Sequence, residues 1–274
     1  MNRTPDEPLA AGHPPSPADA LRFAFGTLTV LPVRVGRWDR ATARGGMLCA
    51  PLAGLVVGLC AATLGGALLL LGGGPLLAAV GSAAVPAALT RGLHLDGLAD
   101  TADGLGSGKP AEDALRIMKQ SDIGPFGVIT LLFTLLAQVA ALHELYAAGW
   151  ARGALAAVVA AVAARCALTL ASRTGVPAAR PEGLGAAVAG TVPVGAALLC
   201  AALVAALCAA AGGVFGPAIG YGALHAGLAA LAGLGLAELV LRHCRRRFGG
   251  VTGDVFGALE ESAGLTALVV LALG

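Results

Sequence analysis

The stretch GLGAAVAGTVPVGAALLCAALVAALCAAAGGVFGPAIGYGALHAGLAALAGLGLA, residues 183 to 237, decides the fold. Its 55 residues carry no formal charge. A bilayer span needs roughly 20 apolar residues, so the stretch is long enough for two. Gly212-Gly213, followed by Gly216-Pro217, interrupts it near the middle, and this pairing of helix breakers marks a turn. The block reads as a hairpin of two membrane helices.

The rest of the 274-residue chain agrees, being 57% hydrophobic and only 12% charged, with a mean hydropathy of +0.82. That composition excludes a water-soluble globular domain. A net charge of +2 is too small to recruit nucleic acid, so the positions of the charges matter more than their sum. Six scattered cysteines, none in a C-x-x-C pair, read as small packing residues and not as ligands. Residues 1–18 are rich in proline and show neither a signal-peptide core nor a cleavage site. They are expected to form a disordered cytoplasmic tail ahead of one transmembrane catalytic domain, 19–274.

Uncharged windows predict an all-α, polytopic bundle of about seven transmembrane helices with short loops, near 47–71, 75–94, 124–146, 153–172, 188–212, 217–241 and 255–274. The apolar run at 21–33 is too short to span, and is expected at the interface or as a re-entrant segment. With the N-terminus inside, fifteen of the eighteen basic residues fall on the cytoplasmic side and only Arg152 on the other; Arg91 and Arg165 sit in or near spans. This asymmetry predicts a multi-pass protein of the bacterial cytoplasmic membrane.

On that side lies HLDGLADTADGL, residues 94–105. Asp96, Asp100 and Asp103 are four and three apart, so a helix presents them on one face, where three like charges call for a cation. Carboxylate oxygens without sulfur suit Mg²⁺ or Mn²⁺, which use few protein ligands and are completed by substrate phosphates. His94 supplies a group to orient a ligand or move a proton. The segment KPAEDALRIMKQSD reads as a surface helix with Arg116 and Lys119 on one face, two cations near the carboxylates as phosphoryl chemistry needs. Arg165 lies mid-span and must face an anion or carboxylate, with Glu238 as the expected counter-charge. Asp254 and Glu261, seven apart, share a helix face and offer a second acidic contribution. GLGSGKP is not a P-loop, because Pro110 stands where Ser or Thr is needed, and His143-Glu144 is no zinc motif, because Ala147 replaces the second His.

HLDGLADTADG, IMKQSDIGPFG, EGLG at 182–185 and GGVTGDVFGA with Glu261 together resemble the adenosylcobinamide-GDP ribazoletransferase (cobalamin 5'-phosphate synthase) family. The resemblance covers nearly everything after residue 20, and Arg165 matches a family arginine. It implies transfer of the adenosylcobinamide phosphate group from its GDP linkage to α-ribazole or α-ribazole 5'-phosphate, with release of GMP and a requirement for Mg²⁺. Membrane lipid and other late cobalamin-pathway enzymes are the further partners implied. On this basis Asp96, Asp100 and His94 are the catalytic candidates, and Asp96, Asp100, Asp103 and Asp122 the metal ligands. Arg116, Lys119, Ser121, Arg165, Asp254 and Glu261 are the substrate-binding candidates. The chain departs from the family pattern at Gln120-Ser121-Asp122, where an acid, Ser and Arg are usual, and at Gly264, where an acid is common. Two other readings of the residues are a CDP-alcohol phosphotransferase or prenyltransferase type of enzyme and a transporter with an ion path at Asp96, Asp100 and Arg165. Clustering of acids at one helix mouth instead of the midplane speaks against the transporter.

Overall fold

A computed structural model describes residues 14–216 and 218–274. Its long helices are α2 (Arg40–Leu70), α3 (Pro75–Thr90), α6 (Pro125–Ala148), α7 (Trp150–Ala171), α9 (Val194–Phe215), α10 (Ile219–Phe248) and α11 (Gly253–Ala272). Four shorter ones complete the set: α1 (Pro17–Leu28), α4 (Leu93–Gly106), α5 (Ala111–Ile117) and α8 (Gly183–Val188). The seven predicted windows all fall on long helices, and six of these are long and apolar enough to cross a membrane unaided.

The seventh is different. A span over 75–94 was expected, but α3 stops at Thr90, and its 16 residues rise only about 24 Å, short of the roughly 30 Å hydrocarbon core. Arg91 (φ 52°) and Gly92 (φ 69°) are both left-handed and turn the chain by 88° into α4. One non-glycine residue in that conformation costs about 1 kcal/mol, which the surrounding packing must offset. The carboxylate helix is thus the second arm of a broken helix and not the end of a straight one.

α7 is the most buried of the spanning helices and the axis of the bundle. α2 lies against it at backbone distance, since a Cβ on Gly58 would come within 2.8 Å of the Val158 Cα. Small residues allow this, and close approach is what holds helices together where lipid offers no hydrophobic drive. Outward faces carry exposed large apolar side chains such as Phe133 and Leu136 on α6 and Leu203 and Leu207 on α9, as a lipid-facing surface requires. The chain is a multi-pass helical membrane protein.

The predicted interfacial run at 21–33 is α1 followed by extended chain. α1 is opened by a capping box between Ser16 and Asp19 and buries Phe23 fully. It starts at Pro17, two residues before the expected domain boundary; residues 1–13 of the expected tail lie outside the described residues, as does Pro217 of the α9–α10 turn.

Connections at one end of the bundle are tied across long sequence distances. Arg40 donates to the Ala189 carbonyl, Arg245 to that of Gly175 and Arg247 to that of Lys109. The strap between α7 and α9 pairs with the chain entering α11: Val251 N–H donates to the Pro177 carbonyl and Ala179 N–H to that of Val251, each at 2.9 Å. The acidic helix α4 lies at this same end.

Candidate active site at the contact of α4 and α11

Two glycines bring α4 and α11 together. A Cβ on Gly97 would sit 2.6 Å from the Asp254 carbonyl oxygen, and one on Gly257 2.7 Å from that of His94. With backbones in contact, Asp254 in the first turn of α11 stands beside Asp96 and Asp100 on α4. Asp100 feels Asp254, Asp96 and Asp103 as like charges and Arg180 as an opposing one, and Asp254 feels Arg180 and Asp96. Asp96 is exposed, while Asp100 and Asp254 are half-buried. Thr252 caps α11 by accepting from Val255 N–H, and its hydroxyl donates to Asp254 Oδ2 at 3.1 Å, which fixes that carboxylate.

Arg180 is the cation of this site. Its guanidinium lies 3.5 Å from Asp254 Oδ2, and its other arm donates to the Leu115 carbonyl. In the sequence only its place two residues before the EGLG motif marks Arg180 out from the other basic residues of the loops. Arg116 and Lys119 were expected to supply this charge. Instead Arg116 pairs with Asp113 at 2.6 Å, and Lys119 with Glu182 at 2.6 Å. The hydrogen bond from the Lys119 ammonium holds the Glu182 carboxyl below its usual range.

Asp103 departs from the expected trio of ligands. It is buried, and its carboxylate accepts from Gly124 N–H (2.7 Å) and Gly127 N–H (2.9 Å). These are free amides at the start of α6, where the helix dipole favours an anion. A Cβ on Gly124 or Gly127 would run into that carboxylate, which gives the IGPFG motif its physical reason. Ser121 and Asp122 are exposed in the loop before α6, with no hydrogen bond or ion pair to a described residue.

His94 also departs from expectation. Two residues are about 200° on a helix, so His94 faces away from Asp96. It is buried, and the charge it feels is that of Arg165. Arg165, 1% exposed, is paired with Glu260 and interacts with Glu261, whose Oε2 accepts from Gln138 Nε2 at 2.7 Å. The expected partner, Glu238, instead holds Arg173 at 2.9 Å and Arg242 at 2.8 Å. Depth explains the correction: Arg165 lies eight residues, about 12 Å, further into the bundle than Arg173. Glu261 likewise lies about 10 Å deeper than Asp254 and belongs to this interior cluster. Glu260, which sequence reasoning passed over, was flagged only by its place in an apolar helix. Gly264 faces α7, with the Ala164 methyl in van der Waals reach.

Among the described residues, no three His, Cys, Asp or Glu side chains converge into a metal cage. The α4–α11 contact offers Asp96, Asp100 and Asp254, a hard-oxygen set that leaves coordination positions for a substrate's own oxygens. That donor chemistry fits Mg²⁺ and not a soft metal.

Comparison with known proteins bears on this geometry. The family model described as cobalamin-5-phosphate synthase matches residues 20–272. A protein named adenosylcobinamide-GDP ribazoletransferase in Frankia casuarinae is 45% identical over 262 residues, 92% of this chain and 94% of that one. The protein of the same name in a Nocardioides species is 42% identical over 89% of this chain and 94% of its own. One in Corynebacterium efficiens is 38% identical over 93% and 92%. No solved structure matches. With the match running from α1 to the end of α11, the chain belongs to the cobalamin-5-phosphate synthase family.

Proposed function

We propose that the chain is a membrane transferase that joins adenosylcobinamide-GDP to α-ribazole or α-ribazole 5'-phosphate, forming adenosylcobalamin or its 5'-phosphate and releasing GMP. Membership of the family and the names of relatives at 38–45% identity support this reading. The observation that carries it in the molecule is the meeting of Asp96, Asp100 and Asp254 with Arg180 where α4 touches α11.

A diphosphate brings negative charge to a site already acidic. Asp96, Asp100 and Asp254 would hold Mg²⁺, with Mn²⁺ as substitute, and the ion when bound would neutralise charge on the bridging and leaving oxygens. Arg180, on the strap, contacts Asp254 and offers its remaining N–H groups to a phosphate oxygen. The attacking ribazole hydroxyl must lose a proton. His94 points to the opposite side of α4, so a carboxylate oxygen of the cluster that is not engaged with the ion takes it. The strap and the α4–α11 contact fix these groups before substrate arrives, which is the main protein contribution to such a transfer. The excess of basic residues that the sequence puts on this side supports a site at the cytoplasmic face of the cytoplasmic membrane.

The test is GMP release from adenosylcobinamide-GDP by the purified protein in nanodiscs, with and without a chelator. Release that depends on α-ribazole and stops on chelation is expected. No release overturns the assignment, and release untouched by chelation overturns the metal.

A further inference from the structure

The last two turns of α10 and the strap line an open hollow of about 340 Å³, continuous with solvent and bordered by Pro177, Arg242, Arg245, Arg246 and Gly249. Three arginines and no carboxylate face it. Two of the three are anchored elsewhere: Arg242 Nε donates to Glu238 at 2.8 Å, and Arg245 Nη2 to the Gly175 carbonyl at 2.9 Å. Arg246 is exposed and makes no hydrogen bond or ion pair with a described residue. A membrane anchor or a helix dipole accounts for basic residues at this helix end, but not for three arginines lining one concavity with Arg246 left uncommitted. The C-terminal end of α10 itself repels an anion, so the side chains must supply the attraction.

Arginines lining such a hollow, one of them with its guanidinium free, match a phosphate monoester, which accepts two-pronged hydrogen bonds and carries close to two negative charges. The hollow also adjoins the acidic site. Gly249 is five residues from Asp254, at most about 17 Å of extended chain, and the strap that supplies Pro177 supplies Arg180 three residues later. We propose that this hollow is a phosphomonoester subsite which holds the 5'-phosphate of a phosphorylated nucleoside acceptor while its sugar hydroxyl reaches the α4–α11 contact. This rests on the function proposed above. It makes Arg242, Arg245 and Arg246 determinants of preference for the phosphorylated acceptor over the free nucleoside.

The test compares initial rates with α-ribazole and α-ribazole 5'-phosphate for the wild type, Arg246→Gln and Arg246→Lys in phosphatidylcholine nanodiscs. Losing one charge-assisted hydrogen bond predicts a KM for the phosphorylated acceptor raised about tenfold or more in Arg246→Gln. Expected alongside are a kcat and a free-nucleoside KM within about twofold of wild type, and partial recovery in Arg246→Lys. Equal effects on both acceptors, or none on either, overturn the inference. So does an anionic-lipid arm in which the variant loses phosphatidylglycerol retention while its nucleotide KM stays fixed, because the hollow is then a headgroup site. If the wild type releases no GMP with either acceptor, the proposed function falls on its own. The hollow is then judged by equilibrium binding of inorganic phosphate, which weakens in Arg246→Gln if the subsite exists and is unchanged if it does not.

Discussion

α11 carries two acidic centres about 10 Å apart along its axis, and they are built on opposite terms. Asp254, in its first turn, stands with Asp96 and Asp100 at the solvent-facing end, three carboxylates against the one guanidinium of Arg180. Glu260 and Glu261, two turns deeper, are buried against Arg165, and Gln138 donates to Glu261. The deep centre seals its charges from solvent and sets two carboxylates against one guanidinium, although Arg165 Nε and Nη2 have no hydrogen-bond partner among the described residues; an ion left wholly unpaired in hydrocarbon would cost more. The outer centre leaves them open, which a protein tolerates where a ligand or solvent completes the balance. From this contrast, substitutions in the outer centre should affect turnover and those in the deep centre should affect folding.

The largest effect is expected from Asp96→Ala or Asp100→Ala. Either should lower GMP release by about a thousandfold or more, roughly 4 kcal/mol in barrier height, with the melting temperature in detergent nearly unchanged. A mutant that is inactive because it has unfolded would erase the distinction between the centres. Arg165→Leu should do the reverse. Stranding Glu260 in the interior is expected to cost about 3–5 kcal/mol of stability, and the double variant Arg165→Leu/Glu260→Leu should regain much of it. Thermal unfolding of the single and double variants gives the coupling; a fully folded Arg165→Leu protein with no turnover would move Arg165 into the catalytic centre.

How far these centres can be read from sequence depends on how local their causes are. The spans are legible because hydropathy is a property of each window, and the two-helix reading of 183–237 holds in α9 and α10. The bend at Arg91 is not legible, since nothing local marks a non-glycine residue for the left-handed region. Asp96, Asp100 and Asp254 are legible as acids at one end, but their partner Arg180 arrives on a strap whose course depends on backbone pairing with Val251. Arg165 is legible as needing a carboxylate. Which one it meets depends on the depth register of α7 against α11, and Glu238 was the wrong choice for that reason.

Asp103 tests the border between the two kinds of centre, for it has the sequence of a ligand and the surroundings of a structural residue. Asp103→Asn keeps one acceptor oxygen and strands one amide of α6, so stability is expected to fall by about 1–3 kcal/mol, read as a shift in melting temperature. Turnover per folded molecule should stay within about tenfold of wild type. A loss as large as that of Asp100→Ala, in protein that remains folded, would return Asp103 to the ligands.

Lys119 marks the smallest effect and the outer limit of the site. Its ammonium holds Glu182 at 2.6 Å on the exposed surface, and that hydrogen bond keeps the Glu182 carboxyl below its usual pKa. A carboxyl depressed by folding contributes its stability above the unfolded value, near 4.5, and loses it as pH falls through the lower folded value. The contribution is therefore complete at neutral pH and fades only in acid. Lys119→Ala should return Glu182 toward its ordinary titration, followed by carboxylate NMR, with no measurable change in melting temperature at neutral pH. GMP release should stay within about twofold, because the pair ties the strap to the loop after α5 and points at neither Asp100 nor Asp254. A drop of tenfold or more with the strap still in place would mean that Lys119 leaves Glu182 to meet substrate phosphate, and the open centre would then extend from α4 across to that loop.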